Sequence, residues 1–291
     1  MGRLRIPGDA GAVCRAMTAG DRSGITPELR AAYSRSGLSH LLAVSGLHTG
    51  IVFALVNLLL WWRRGHLLRN LLAAACIWIY VAAAGFPPSA VRAAVMFTML
   101  QSALASASEY NGLNALAAAA FGMLLWNPAW LGDISFQLSF AAVAAILAWG
   151  VPLCRRLRTR RRALNPITDA LAVSLAATLA TAPLVSHTFG IVPLAGVVVN
   201  PAAILLGSVV VLAGALWMLL PVGWAAPAFE CVLSHTAEGL NALARVTADL
   251  SCAAAEYALG GGATAAVYLF FALATVAAWS AEPKKSVHLP A

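Results

Sequence analysis

The sequence predicts an all-α polytopic membrane protein with about eight transmembrane helices, some of them broken or re-entrant, and one interfacial helix. Composition is the first observation behind this prediction: of 291 residues, 61% are hydrophobic and only 10% are charged, and the mean hydropathy is +0.81. A soluble domain of this length could not cover so much apolar surface with so few charges. The second observation is that the apolar runs are long, unbroken and rich in Ala and Leu. A transmembrane β-barrel would instead show short segments of alternating polarity.

The charged residues predict the orientation of the chain. The formal net charge is +8, and arginines in short connections supply much of it. Short connections rich in Arg and Lys stay on the cytoplasmic side of a membrane. We therefore predict a multi-pass protein of the cell (inner or plasma) membrane, with basic loops 63–69 and 155–162 in the cytoplasm and both chain ends outside. A dedicated nucleic-acid patch is the alternative interpretation of the run RRLRTRRR at 155–162.

Residues 1–37 are predicted to be a polar N-terminal segment, followed by a transmembrane domain over 38–280 and a short tail over 281–291. The tripeptide Thr26-Pro27-Glu28 is typical of a helix start, with Thr as the N-cap, Pro at the first helical position and Glu in the first turn. This pattern predicts a short surface helix that ends at about Arg35.

The stretch Leu38–Trp62 is predicted to be the first spanning helix, because roughly 20 apolar residues suffice to cross a bilayer. Ser45 and His48 are three residues apart and would share one face of that helix. Polar side chains in a span normally face other helices or a water-filled path. Gly46 and Gly50 are four apart and would let another helix backbone come close. The stretch therefore predicts a helix with a polar stripe and a packing strip.

The later apolar runs predict the remaining spans. A double proline, Pro87-Pro88, ends the second helix because proline removes a backbone donor. The segment 226–252 carries charged residues among apolar ones, which suits a helix in the membrane interface. One of these spans is a helix with Arg92 one or two turns inside it. The run 167–182 is predicted to break at Pro183, and the run 191–221 is interrupted at Asn200-Pro201, which suggests a re-entrant half-helix. The remaining spans are predicted over 70–84, 111–126, 133–153, 167–182, 191–221 and 257–279.

Three broken segments, at 85–88, 182–190 and 198–201, favour a transport path over a passive scaffold. Discontinuous helices at membrane depth are tolerated where they line cavities. The polar residues within or beside these segments and spans are the candidates for the path. They are His40, Ser45, His48, Arg92, Asp133, Gln137, His187 and Asn200, and the predicted helix breaks are at Pro87, Pro88, Pro183 and Pro201.

Arg92 and Asp133 allow two interpretations. Both are predicted near span ends, so they could extend to the interface, or they could face a hydrated interior and pair with each other. Asp133 and Gln137 are four apart and would share one helical face. The five cysteines and six histidines show no metal-ligand spacing, so we predict no metal and no cofactor.

Several motifs together resemble one family. They are GDRSGITPELR (20–30), GLSHLLAVSGLHTGIV (37–52), GFPPSAVRAAVMFT (85–98), NPAWLGDISFQLSFAAV (127–143) and APLVSHTFGIVPLAGVVVNPAA (182–203). In order and spacing these motifs resemble the ComEC competence-protein family over nearly all of 20–280. The resemblance implies a transmembrane channel that admits single-stranded DNA during natural transformation. It places His40, Ser45, His48, Arg92, Asp133 and Gln137 in the signature motifs of the family.

The resemblance also implies partners and one absence. Single-stranded DNA and the lipid bilayer would be the direct partners, and a cytoplasmic motor helicase and a separate nuclease or DNA-receptor protein would act with the channel. Many members of the family carry a metallo-β-lactamase-like domain after the channel, and this sequence has no HxHxDH cluster. We therefore expect no nuclease and no other enzymatic activity from this chain.

Two other functions fit parts of the sequence. A secondary transporter for a small anionic solute could be built on the same broken helices. Ala43-Val44-Ser45-Gly46 is similar to the GxSG of rhomboid proteases, with His187 as the base, although the first glycine is missing.

Overall fold

The computed structural model describes residues 5–43, 45–60, 66–105, 110–219 and 223–281. Within these ranges the chain is almost entirely helical. The α-helices are α1 (Gly8–Ala19), α2 (Pro27–Arg35), α3 (Gly46–Leu59), α4 (His66–Ala83), α5 (Pro88–Ala105), α6 (Gly112–Trp126), α7 (Ile134–Ala145), α8 (Val151–Leu157), α9 (Asn165–Phe189), α10 (Gly196–Leu219), α11 (Ala226–Ala248) and α12 (Gly261–Ala281). A π-helical turn, Ile146–Gly150, joins α7 and α8 into one continuous helix, Ile134–Leu157.

Helix starts follow the capping residues in the sequence. The Thr26 hydroxyl accepts the N–H of Leu29, and Pro27 is the first residue of α2, as predicted. The Asn111 side chain caps α6 in the same way. These side chains satisfy backbone donors that the first turn of a helix leaves without acceptors. The predicted helices at 70–84, around Arg92 and at 111–126 are confirmed as α4, α5 and α6.

The prediction of one continuous helix over Leu38–Trp62 is wrong. Residues Ser39–Leu42 form a 3₁₀-helix, and α3 begins only at Gly46, with Ser45 in an extended conformation as its N-cap. A serine hydroxyl and an extended backbone compete with helix continuation and favour a new start. Val44, Trp61 and Trp62 lie outside the described residues, as do 63–65 of the predicted loop 63–69, while 66–69 belong to α4.

Only one of the three predicted breaks is a break. At 85–88 the chain leaves α4, passes through Gly85 and Phe86 at positive φ, and starts α5 at Pro88. Pro183 and Pro201 instead lie inside the continuous helices α9 and α10, so the predicted breaks there and the re-entrant half-helix are wrong. Apolar surroundings make further exposure of backbone groups costly, so a helix continues past a single proline.

The apolar side chains of the described residues form two cores. One packs the N-terminal helices α1 and α2 against α10 and α11, and Tyr33 and Leu240 are fully buried in it. The other packs α4, α5, α6 and α7 around residues such as Ile77 and Phe136. Helix α3 contacts both, through Ile51 on one side and Phe53 on the other. The segment 5–42 is therefore an integral part of the packed structure.

Helix α11, predicted to be an interfacial helix, packs along α10, and its position relative to a membrane stays a prediction. Its first turns pack Phe229 against Trp217 at the end of α10, with ring centroids 5.4 Å apart. Just past its last turn, the Ala253 carbonyl accepts the N–H of Ala195 at the start of α10. The two helices are therefore antiparallel along their whole length. The apolar face of α11 is buried against protein, so its amphipathic pattern does not require a membrane surface.

A short ribbon closes one end of the bundle. Strands β1 (Ile191–Pro193) and β2 (Ala254–Glu256) pair antiparallel, and the sequence analysis did not predict them. The Ser186 hydroxyl donates to the Tyr257 carbonyl and accepts the N–H of Leu259, which holds the end of α9 against the chain after β2. Gly190, at φ +68°, ends α9 and turns the chain into β1.

Three of the described helices are long and apolar enough to cross a bilayer: Ile134–Leu157, Asn165–Phe189 and Gly196–Met218. Four shorter apolar helices accompany them: Gly46–Leu59, Leu68–Ala83, Gly112–Trp126 and Gly261–Ala277. Several of these expose large apolar side chains, for example Phe121 and Leu125 on α6 and Phe270 on α12. Outward-facing apolar side chains on apolar helices are expected of a helical membrane protein, and the count of eight crossings stays a prediction.

Candidate functional site

Ser45 and His48 form the cap of α3. The Ser45 backbone N–H donates to His48 Nδ1 at 3.1 Å, and the Ser45 hydroxyl lies 2.9 Å from the same nitrogen. Because Nδ1 accepts a backbone N–H, the hydrogen-bond network assigns the ring proton of neutral His48 to Nε2. The His48 side chain is fully buried, and Nε2 has no hydrogen-bond partner among the described residues. Ser45 is thus partnered by His48, and the predicted pairing with His187 is absent.

Arg92 is a buried cation with neutral partners. It is 7% exposed; its Nε donates to Ser139 Oγ at 2.8 Å, and Nη1 lies 3.9 Å from Met96 Sδ. The guanidinium carbon is 5.9 Å from the centroid of the Phe140 ring, a cation–π distance. No carboxylate in the described part of the chain is within ion-pair distance of Arg92. The predicted Arg92–Asp133 pair is therefore wrong.

The guanidinium of Arg92 lies against the first turn of α3. A methyl group built on Gly46 would come within 2.8 Å of Arg92 Nη2 and 3.8 Å of the Ser89 carbonyl oxygen. Only a residue without a side chain leaves this space for the guanidinium. Gly46, Arg92 and Ser139 therefore meet where α5 contacts both α3 and α7; we call these three residues the Arg92 cluster.

Asp133 and Gln137 fix the start of α7. The Asp133 carboxylate accepts the N–H of Phe136 at 2.9 Å and caps the helix. Gln137 Nε2 donates to the Leu131 carbonyl at 2.7 Å and so ties α7 to the preceding 3₁₀-helix. Both polar groups thus have local partners near the helix end.

Replacing Asp133 by alanine is expected to lower the free energy of unfolding by about 1 kcal/mol, because the N–H groups of the first turn lose their cap. Asp133→Asn is the matched control. It should change the free energy of unfolding by at most a few tenths of the effect of the alanine variant, since asparagine caps equally well. Detergent-denaturation curves of the purified variants measure both values. Equal stabilities of the two variants would contradict the cap.

His187 lies on a second feature, a cleft of about 440 Å³ between α7, α9 and α12. Its Nδ1 is 2.8 Å from the Leu259 carbonyl, so it donates there and leaves Nε2 as an acceptor. Gln137 lines the same cleft, together with Thr264 and Tyr268. The Tyr268 hydroxyl donates to the Ala180 carbonyl at 2.7 Å. The structure thus brings Gln137 and His187 together, away from Ser45.

Asn200 and His40 have other hydrogen-bond contacts, and the His40 ring lies within electrostatic range of His48. Asn200 Nδ2 donates to Ser174 Oγ at 3.3 Å, which links α10 to α9, and its Oδ1 is buried without a partner among the described residues. His40 Nδ1 is 3.1 Å from the Gly37 carbonyl, a contact within its own turn. The predicted path residues therefore fall into separate groups and do not form one continuous stripe.

The sequence analysis missed two members of the site. Ser139 and Phe140 provide the partners of Arg92 from α7. Both belong to the motif DISFQLSF, and they lie two and three residues after Gln137. Nothing in the spacing shows that this face of α7 meets α5 rather than another helix.

Comparison with known proteins decides the family. The pattern of the family described as "Competence protein" matches residues 17–282. The chain belongs to the competence protein family. A curated relative, ComE operon protein 3 of Bacillus subtilis (strain 168), is 31% identical over 185 residues. That match covers 63% of this chain and 23% of the relative, so the matched segment spans less than a quarter of the relative's length. No solved structure matches the chain significantly.

Family membership confirms the resemblance drawn from the motifs. The matched region contains every predicted path residue, from His40 to Asn200. It also contains the apolar helices described above, which together with the family identify a membrane protein. In this competence-family chain, Gly46 and Arg92 come together from two motifs more than 40 residues apart.

Proposed function

We propose that the chain is the membrane-embedded part of a conduit that passes single-stranded DNA into the cytoplasm during natural transformation. The observation that carries the proposal is the Arg92 cluster, in which a buried cation without an acidic partner among the described residues lies against the first turn of α3. A strand with one negative charge per nucleotide needs positive and donor groups along its path. Such groups are costly at membrane depth, so membrane proteins rarely keep them without a function.

The distribution of charge along α7 and α8 supports an orientation of this helix in the membrane. Ser139, which binds Arg92, is near the start of this continuous helix, and Arg155 is near its end. Sixteen residues separate them, roughly 24 Å of helix. We propose that the basic end is cytoplasmic, by the positive-inside rule, and that the Arg92 cluster lies toward the outside. Eight crossings with both chain ends outside complete this topology.

The proposed conduit is passive and has no enzymatic activity of its own. A cytoplasmic motor helicase would supply the force, and a separate nuclease or DNA-receptor protein would supply the strand. The relative's name links this family to a competence operon, and its greater length leaves room for further activities in that protein.

Internalisation of labelled DNA tests the proposal. Cells that lack the gene should lose DNase-protected label by about 100-fold or more, the loss expected when a costly crossing has no alternative route. Expression of the gene product should restore the label. Full internalisation without the gene would contradict the conduit. Ion-coupled uptake of a small anion into liposomes, unaffected by competing DNA, would favour the secondary transporter instead.

A further inference from the structure

We propose that the turn between α8 and α9 is a binding site for the phosphate groups of anionic phospholipids at the membrane surface. We call residues 155–164 the arginine turn. The inference goes beyond the conduit, because it concerns how the chain meets the membrane rather than a path through it. Six arginines within eight residues lie in this segment: Arg155, Arg156, Arg158, Arg160, Arg161 and Arg162.

The arginine turn lies one bilayer thickness from the start of α7. Ile134–Leu157 is one continuous helix, and Arg155 follows Ile134 by 21 residues, about 32 Å along the helix axis. The hydrocarbon core of a bilayer is about 30 Å thick. Helix α9 packs along this helix and begins at Asn165, directly after the turn. When the two helices cross the bilayer, the arginine turn is therefore at the level of the lipid phosphates.

The arginine turn has a large excess of positive charge. All residues from 155 to 164 are exposed, and Asp169 is the only acidic residue between 134 and 189. Guanidinium groups bind phosphate oxygens through pairs of parallel hydrogen bonds. In the topology proposed above, the turn faces the cytoplasmic leaflet, whose anionic lipids attract basic segments. Charge therefore favours a lipid phosphate as the ligand.

The Asn165 side chain closes the arginine turn. Its Oδ1 accepts the Thr159 N–H at 3.0 Å, and its Nδ2 donates to the Thr159 carbonyl at 3.4 Å. The Thr159 hydroxyl donates to the Arg161 carbonyl at 3.2 Å inside the same turn. The backbone that carries Arg160, Arg161 and Arg162 is thus arranged before any ligand arrives. Such preorganisation lowers the entropy lost when a ligand binds.

Apolar neighbours distinguish a lipid from a nucleic acid as the ligand. Leu157, Leu164 and Ile167 are exposed beside the arginines. Exposed apolar side chains next to basic ones are typical of segments at the boundary between headgroups and acyl chains. Single-stranded nucleic acids are instead bound by basic groups together with aromatic side chains, and the sequence has no Phe, Tyr or Trp between Trp149 and Phe189. The observations therefore favour the lipid.

Retention of lipid by the purified full chain in detergent, measured by native mass spectrometry, tests the site. The probes are phosphatidylglycerol, which is anionic, and phosphatidylcholine with the same acyl chains, which has no net charge. The wild type should retain the anionic lipid about 10-fold more tightly. A combined Arg160→Gln, Arg161→Gln and Arg162→Gln variant should weaken retention of phosphatidylglycerol about 10- to 100-fold and leave phosphatidylcholine unchanged.

Two further variants separate the site from overall charge. Arg5→Gln, Arg15→Gln and Arg30→Gln combined removes the same charge from exposed positions in the N-terminal helical region and should change retention less than about twofold. Asn165→Ala keeps all six arginines but opens the turn, so it should weaken retention about 3- to 10-fold. Circular dichroism of each variant checks folding.

The outcomes separate this inference from the proposed function. Equal retention of both lipids by the wild type overturns the site, and so does normal retention of phosphatidylglycerol by the combined variant at 160–162. Retention by Asn165→Ala equal to that of the wild type shows that the closed turn is not the site. If the combined variant loses only a fluorescent 20-nucleotide strand, the surface binds nucleic acid and the lipid site is wrong. None of these measurements involves DNA entry into cells, so the lipid site and the conduit fail independently.

Discussion

Arg92→Leu is expected to lower transformation about 10- to 100-fold while the amount of protein in the membrane stays within about twofold of the wild type. Each passing phosphate loses one charge-assisted contact, typically worth about 1.5–3 kcal/mol. Arg92 is buried with neutral partners, so replacing it by the shorter, apolar leucine removes a desolvation cost rather than a salt bridge. Transformation frequency and immunoblots of membrane fractions give the two values.

Arg30→Leu is the matched control for this prediction. Arg30 is an exposed arginine on α2, so its removal changes the net charge equally without touching the Arg92 cluster. Transformation should stay within about twofold of the wild type, because an exposed charge contributes little. Normal transformation by Arg92→Leu would contradict a role of this side chain in DNA entry. An equal loss in both variants would point to overall charge instead.

Tyr33→Ala is expected to lower the free energy of unfolding by about 3–5 kcal/mol, the usual cost of removing a large buried ring. Tyr33 is fully buried, and its hydroxyl donates to Asn241 Oδ1 at 2.8 Å. The contact joins α2 to α11 across 208 residues of sequence. Unfolding in mixed micelles with a rising fraction of dodecyl sulfate, followed by circular dichroism, measures the change.

Two further variants divide the effect of Tyr33. Tyr33→Phe keeps the ring and loses one hydrogen bond, so it should cost about 1 kcal/mol, with the Asn241 amide oxygen left without its donor. Tyr257→Ala removes a ring that is largely exposed and should cost less than about 1 kcal/mol. A Tyr33→Ala protein as stable as Tyr257→Ala would show that the N-terminal helices contribute little to the packed core.

Local patterns predicted the helices well wherever one residue decides a boundary. Thr26 and Asn111 cap helices, and the double proline at 87–88 separates α4 from α5. The same reasoning failed at Pro183 and Pro201, which α9 and α10 pass through. A proline removes one donor, but whether the helix stops there depends on the cost of exposing the next carbonyl groups. That cost is set by neighbouring helices and cannot be derived from local sequence.

The candidate site was predicted in part for a similar reason. Sequence reasoning selected Ser45, His48 and Arg92 because polar groups in apolar runs are costly. One of its two interpretations of Arg92 was a pair with Asp133, whereas the structure gives Arg92 a serine hydroxyl and an aromatic ring. The Asp133 carboxylate instead accepts the backbone N–H of Phe136 in its own helix. A carboxylate at the N-cap can accept the free backbone N–H three residues later, so it needs no long-range partner.

The sequence alone determined that this is a helical membrane protein of the competence family, because composition, apolar run length and contiguous motifs are properties of the chain itself. Three facts depend on the three-dimensional packing: α11 runs along α10, the N-terminal helices are packed into a core, and Arg92 touches the first turn of α3. Contacts between residues more than 40 positions apart depend on how helix faces are paired. Many pairings satisfy the same hydrophobic pattern, and close packing in three dimensions selects one of them.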